Sequence, residues 1–452
     1  MSDDPPGSQS SDPADDAASD GETPVGNTRR ALATVFFIVF VDLLGFGILI
    51  PVIPLYAESF GASEFVVGLL IASYSVTQFV AAPILGRLSD ERGRRPVLLL
   101  SLAGSVIAWT LFGLAWSILV LFLARLLAGA MGGNIATAQA YIADVTPRED
   151  RAKGLGLVGA AFGLGFVFGP ALGGVFASDA VIAIARDVLP GFVPVTTFSL
   201  PSFAAAAITA INLVAAFFVL PETNPRVLGD TDAEVQTDDR GRVERLRDAL
   251  ADPALGALVV AFFLFSLAFS GMESMFVLFT KDLYGFGPAM NGYVLAYVGV
   301  IIAIVQGGLV GRLTDYFGEK RLALIGVAVE LVALTALPFA PLLAPFLPTI
   351  GPLESGLVAL LFVMTFLAGA NGLANVSLTT LVSTNASEEE QGGAFGLTQS
   401  AGSIARAAGP IGAGALYAGV AYWAPFVVGG ILMAPILYVI GFRVVGRVPN
   451  AS

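Results

Sequence analysis

Gly86–Leu100 reads GRLSDERGRRPVLLL, and 225 residues later Gly311–Gly326 reads GRLTDYFGEKRLALIG. Each copy is a short charged loop set between long apolar runs. Glycines, an acid and a basic cluster recur in the same order, so the chain contains a duplicated unit. A duplication of this kind joins two homologous membrane halves, an arrangement that many secondary transporters use.

Working outward from the two loops, the chain is far too oily for water. Of its 452 residues 56% are hydrophobic and 13% are charged, and the mean hydropathy is +0.81. Soluble domains carry roughly 25% charged residues. A helix needs ~20 apolar residues to cross a hydrocarbon core of ~30 Å, and twelve stretches qualify: 31–57, 65–86, 96–115, 117–142, 152–177, 201–220, 255–280, 289–311, 321–343, 355–382, 392–418 and 421–442. The expectation is an all-α polytopic membrane protein with twelve transmembrane helices in two pseudo-symmetric six-helix bundles. Residues 31–220 would form the first bundle and 255–447 the second.

Residues 1–30 and 221–254 are the polar exceptions. The first 28 residues hold seven acids and no base, a composition that cannot bury a core and predicts an acidic disordered tail without a cleavable leader. The stretch 221–254 carries nine acids against five arginines and reads as a linker between the bundles. Of 23 Lys and Arg, 19 fall on the side shared by both termini and two on the other, with Arg125 and Arg406 inside spans. The positive-inside rule then places both termini in the cytoplasm of a multi-pass plasma-membrane protein.

The chain has no His and no Cys. Disulfides, thiol chemistry, His-ligated metal and a His proton relay are therefore excluded. No Gly-Lys-Ser or Gly-Lys-Thr cradle is present for ATP phosphates, and Gly154-x-Gly156-x-x-Gly159 opens a membrane span rather than following a strand. No enzyme chemistry, metal, cofactor or nucleic-acid partner is implied.

The buried charges remain. Asp42 lies 11 residues into the first span, about 17 Å along a helix and near the bilayer midplane. An ionised Asp there costs ~2.5–3.5 kcal/mol even on lenient scales, so it must face a wet cavity or a partner. Burial penalises ionisation, which suits a residue that takes up and releases protons; the alternative is a structural Asp beside the break at Gly45, Gly47 and Pro51. Arg125 cannot neutralise itself and must pair, with Asp42 or with backbone carbonyls. Glu273 in span 7 and Arg406 in span 11 give the second bundle its own charges, with Met272 as an adaptable apolar neighbour. Glu330 in span 9 is a weaker candidate. Asn134, Gln139, Asn371 and Asn375 place amides in spans 4 and 10, as cavity contacts or as interhelical glue. In span 5, Gly165, Gly169 and Gly173 are spaced for close backbone approach, and Pro170 adds a bend. In the first loop Gly86 and Gly93 allow tight turns around Asp90, Arg94 and Arg95.

These stretches resemble the major facilitator superfamily, and within it the drug:proton antiporter branch that includes the tetracycline-efflux proteins. The resemblance rests on GRLSDERGRRP and its echo GRLTDYFGEKR, on ARLLAGAMGGNIATAQAYIADVTPREDRAKG from Ala124, on FGLGFVFGPALGG, and on VDLLGFGILIPVIPLY. It implies a monomer in which spans 1, 4, 7 and 10 line a cavity and Asp42, Arg125 and Glu273 couple protons. It further implies that Asp90 latches the cytoplasmic end of span 11, and that Gly165, Gly169, Pro170 and Gly173 act as a hinge. The function implied is proton-coupled efflux of a small apolar or amphiphilic compound by alternating access. A proton- or sodium-coupled symporter importing a sugar or organic acid is the alternative, and a transport-dead receptor or scaffold is a third reading.

Overall fold

The computed structural model describes residues 28–146, 151–224, 227, 253–351, 353–386 and 391–444, and the described residues are almost wholly helical. In lipid each backbone N–H and C=O must be satisfied within its own segment, so apolar runs of this length can only become helices. The spans are Thr28–Leu49, Glu64–Arg92, Arg94–Gly113, Ile118–Val145, Arg151–Phe176 and Ser199–Val219 in the first half. Those of the second half are Pro253–Tyr284, Pro288–Phe317, Glu319–Phe346, Ser355–Asn385, Gln391–Gly419 and Ala424–Phe442, numbered on to span 12. Eleven of them are long and apolar enough to cross a membrane. Span 11 has the length at 29 residues, but its Gly, Ser and Gln residues and Arg406 dilute its hydropathy.

Three elements differ from the sequence expectation. The first stretch, expected to run unbroken to residue 57, ends at Leu49; a turn follows at Pro51, and a short helix, Ile53–Ser59, begins with Pro54 in its first turn. Proline lacks the N–H that would continue a helix but suits its start. A ten-residue helix, Asp179–Val188, lies between spans 5 and 6. Span 8 is interrupted by a π-helical segment, Val305–Leu309. The tail, most of the 221–254 linker, and residues 147–150 and 387–390 just before spans 5 and 11 lie outside the described residues.

The duplication is visible in the backbone. Gly93 (φ +106°) and Gly318 (φ +74°) each end one helix and start the next. This left-handed conformation is one that glycine adopts without strain. Arg95 Nη2 donates to the Phe217 carbonyl at 2.7 Å, and its counterpart Lys320 Nζ donates to the Val444 carbonyl at 2.7 Å, each tying a loop to the last span of its own half.

The halves meet through spans 2 and 11 and through spans 5 and 8. Glycine is required where they touch: a Cβ on Gly68 would lie 2.2 Å from the Pro410 carbonyl oxygen, and one on Gly292 would lie 2.5 Å from Gly174 Cα. Both contacts sit in the half of the molecule remote from the chain ends, called here the far side. Toward the other face, where spans 1 and 12 begin and end, Gly86, Gly156, Gly311 and Gly396 of the same four spans have nothing within 4 Å. The halves therefore form a cleft closed on the far side and open on the terminal side. Across the closed end Lys281 at the tip of span 7 pairs with Glu58 of the short helix, and beside it, within the second half, Tyr417 of span 11 donates to Asp282 at 2.6 Å.

Candidate functional site

Asp42 is half-buried in span 1, where Asn134 Nδ2 donates to its Oδ2 at 3.3 Å. Asn134 sits in a single 3₁₀ turn, Gly132–Asn134, that interrupts span 4. Glycine is needed on this segment because span 2 presses against it: a Cβ on Gly129 would lie 2.1 Å from Thr77 Oγ1 and 2.3 Å from the Tyr74 carbonyl oxygen.

Arg125, only 2% exposed, pairs with no carboxylate among the described residues. Its Nη2 donates to the Ile71 carbonyl at 3.3 Å, and its guanidinium lies 4.7 Å from the centroid of the Tyr74 ring and 5.8 Å from that of Phe46. Its Nε and Nη1 are buried without hydrogen-bond partners among the described residues. Of the two partners open to Arg125 in the sequence, the structure takes the backbone carbonyl, supported by aromatic faces. A desolvated cation over an aromatic ring is worth about 2 kcal/mol, which offsets part of the cost of burial. Among the described residues Asp42 is left without a cation of its own. Tyr74 is within electrostatic reach of both groups, and of Arg406 across the cleft.

A cavity of about 320 Å³ opens between span 5 of the first half and spans 7, 8 and 10 of the second. Its walls are mainly aromatic and aliphatic, including Phe162, Phe166, Phe269 and Phe276, while Glu273, Gln306, Asn371 and Asn375 supply the polar atoms. Pockets with this balance, apolar with a few convergent polar groups, are what small-molecule sites look like. Glu273 is in no ion pair among the described residues, and Arg406 of span 11 is the cation that acts on it at longer range. Arg406 itself is exposed, with Nη2 donating to Ser403 Oγ at 3.2 Å.

Of the residues the sequence offers for a cavity, Met272, Asn371 and Asn375 lie on this wall, together with Glu273 and Pro170. Asn134 turns instead to Asp42, while Gln139 and Arg406 are exposed elsewhere. Gly165, Gly169 and Gly173 face span 1: a Cβ on Gly169 would lie 2.5 Å from Gly47 Cα, and one on Gly173 would lie 2.3 Å from the Ile48 carbonyl oxygen. Their geometry here is that of close packing. Gly163, two residues before Gly165, opens onto the cavity.

In the first loop, Arg94 bridges Asp90 (2.5 Å) and Asp144 (3.0 Å) and donates to Ser89 Oγ at 2.6 Å. Asp90 thus pairs within its own half, and the residues beyond the end of span 10 that were expected to meet it are not among those described. The start of span 3 is capped by Glu222, whose carboxylate accepts from the backbone N–H groups of Arg94 (2.8 Å) and Arg95 (3.1 Å). A carboxylate at a helix N-terminus satisfies orphan donors and meets the positive end of the dipole.

Sequence reasoning missed Tyr74, Gln306 and Glu222 and undervalued Glu330. Glu330 is fully buried, accepts from Asn371 Nδ2 at 3.2 Å, and its other oxygen has no partner among the described residues. Its position in span 9 one helix behind the cavity wall hid that link. Among the described residues no cluster of carboxylates is arranged to hold a metal ion.

Known proteins agree with this architecture. The chain is 30% identical over 394 residues to the class C tetracycline resistance protein of Escherichia coli, covering 86% of this chain and 90% of that protein. It is 32% identical over 396 residues to the class G tetracycline resistance protein of Vibrio anguillarum, covering 87% and 92%. To the multidrug resistance protein 2 of Bacillus subtilis (strain 168) it is 27% identical over 389 residues, covering 85% and 89%. Among solved structures, a bacterial homologue of the human lysosomal transporter Spinster, inward-facing and unoccupied, matches in fold with a TM-score of 0.68 at 18% identity, covering 92% of this chain and 94% of that one. The family profile matches residues 35–410 and again 309–451, the second match starting at the repeated loop, and the chain belongs to the Major Facilitator Superfamily.

Proposed function

We propose that this membrane transporter exports a small, largely apolar or amphiphilic compound in exchange for protons, by rocking its two halves about the central cleft. The observation that carries the reading is Asp42: a carboxyl group deep in span 1 whose partner is a neutral amide and not a cation. An intramembrane acid so placed can gain and lose a proton without breaking an ion pair, at a depth where a fixed charge would be expensive. Glu273, on the wall of an apolar cavity shared by both halves, is the second such group and stands where a substrate would sit. Arg125, held against Tyr74, is a fixed positive charge in the same half.

The names of the tetracycline and multidrug resistance relatives favour export over metabolite import. The charge count favours a plasma-membrane protein with both termini in the cytoplasm, and the family resemblance favours a monomer. The open terminal side is then the cytoplasmic entrance through which substrate loads. The Gly165, Gly169, Pro170 and Gly173 face of span 5 would serve as the pivot against span 1, and Asp90 would leave Arg94 to latch the opposite half when the cytoplasmic side closes.

The test is proton movement in inverted vesicles, followed with a pH-sensitive dye, for wild type and Asp42→Asn over a panel of lipophilic cations, antibiotics and sugars. A compound that collapses the imposed gradient in wild type and not in the variant supports proton antiport. Flux of a sugar or organic acid driven by a proton or sodium gradient, with no compound moving protons outward in exchange, overturns it in favour of import.

A further inference from the structure

Gln306 stands out among the polar groups of the cavity because the helix deforms to present it. Span 8 is regular as far as Ile304 and resumes at Val310, and between them Val305–Leu309 winds as a π segment containing Gly307 and Gly308. Such one-turn bulges are rare and recur at functional sites, because they re-aim a side chain that a regular helix would direct elsewhere. Span 10 yields space for it: a Cβ on Gly372 would lie 3.1 Å from Val305 Cγ1 and 3.5 Å from Gln306 Cγ.

What the bulge delivers is an unengaged amide. The Gln306 side chain lines the cavity and takes part in none of the side-chain hydrogen bonds among the described residues, and the side-chain amide of Asn375 beside it is likewise unengaged. Asn371 spends its Nδ2 on Glu330, which leaves its Oδ1 as an acceptor. One wall of an otherwise aromatic chamber thus offers neutral donors next to neutral acceptors. Gln306 is exposed to the open cleft and Asn375 half-buried, so both amides meet solvent, and a ligand that displaces that water must replace its hydrogen bonds to hold affinity.

We propose that Gln306, with Asn375, forms a neutral amide subsite that determines specificity, recognising an uncharged edge that carries a hydrogen-bond acceptor beside a donor on a flat apolar compound. Glu273 meets cationic compounds separately, so the two classes are read by different residues. The inference rests on the export reading only for its consequence in transport; recognition is a property of the cavity itself.

Equilibrium binding to purified full-length protein in lipid nanodiscs, with no proton gradient, separates the two. The probes are anthraquinone-2-carboxamide, whose amide carries an acceptor beside a donor, read by its quenching of tryptophan fluorescence, and radiolabelled tetraphenylphosphonium. Gln306→Leu should raise Kd for the anthraquinone about tenfold, the worth of one well-made hydrogen bond, and leave Kd for the phosphonium within about twofold. Gln306→Glu keeps the shape and stem of the side chain, and should weaken the anthraquinone while holding or tightening the phosphonium. Equal losses for both probes, no loss for either, or an anthraquinone that does not bind wild type overturns the assignment. A preserved split in binding with no proton exchange in vesicles would sink the export reading and leave this one standing; proton exchange without the split would do the reverse.

Discussion

Replacing Glu58 by Gln should loosen the far-side closure. Glu58 and Lys281 belong to different halves, and their side chains are 34% and 40% exposed. At that exposure a Coulomb energy from a low-dielectric formula would overstate the contact, and exposed pairs measure about 0.2–1 kcal/mol. The pair exists only while the far side is closed, so losing it should raise the ratio of open to closed by about 1.4- to 5-fold. Because the chain contains no cysteine, single-cysteine reporters need no background removal. Val67 is fully buried one residue before the Gly68–Pro410 contact, and Val67→Cys is nearly isosteric. Its labelling by a membrane-impermeant maleimide should quicken by that factor in Glu58→Gln, and the double reversal Glu58→Lys with Lys281→Glu should restore the wild-type rate. Raising the salt should shrink the difference. If labelling in Glu58→Gln matches wild type at low salt, the pair does not hold the far side shut and the reasoning fails.

Four other substitutions test separate parts of the structure. Glu222→Ala uncaps span 3 and should lower stability by about 0.5–2 kcal/mol, read as a fall in thermal midpoint of the purified protein; an unchanged midpoint would refute the capping role. Gly47→Val places a Cβ 2.7 Å from the Gly165 carbonyl oxygen and should cost about 1–3 kcal/mol by forcing spans 1 and 5 apart, visible as aggregation on size-exclusion chromatography. Arg125→Lys keeps the charge and loses the planar stack on Tyr74, so transport should fall severalfold in vesicle assays, whereas wild-type flux would show that charge alone suffices. Asp90→Asn removes one of three acceptors of Arg94, which keeps Ser89 and Asp144, so folding should survive while transport is lost. Normal transport would end the latch hypothesis.

Much of the fold could be read from the chain because two physical constraints act on it directly. Apolar length dictates helices in lipid, and the repeated loop fixes where the halves correspond, down to the left-handed glycines at 93 and 318. What a linear reading lacks is direction. Glu222 reads as one acid among nine in a linker, and only the folded chain shows it capping a helix that starts 128 residues earlier. Gln139 and Asn134 lie in the same span, yet one is exposed and the other buried against Asp42, since five residues along a regular helix turn a side chain through about 140° onto another face. Gln306 was illegible for the same reason: a π segment has no simple signature beyond a pair of glycines.

The two loops also show why the halves are not equivalent. At the position of Arg94 the second copy has Glu319, so the brace to an acid four residues back and to the end of span 4 cannot be rebuilt with Asp315. Arg94 has three acceptors, Ser89, Asp90 and Asp144, and could give up Asp90 while keeping the other two. Asp90 is the most exposed of them, and the backbone beside it is held independently by Glu222 and by Asn224, which donates to the Ser89 and Asp90 carbonyls at 2.9 and 3.0 Å. The first loop is therefore a rigid mount carrying one exchangeable carboxylate, and the second is a plain turn. A gate needs a mobile contact on a firm support, and the duplication supplies that combination in only one of its copies.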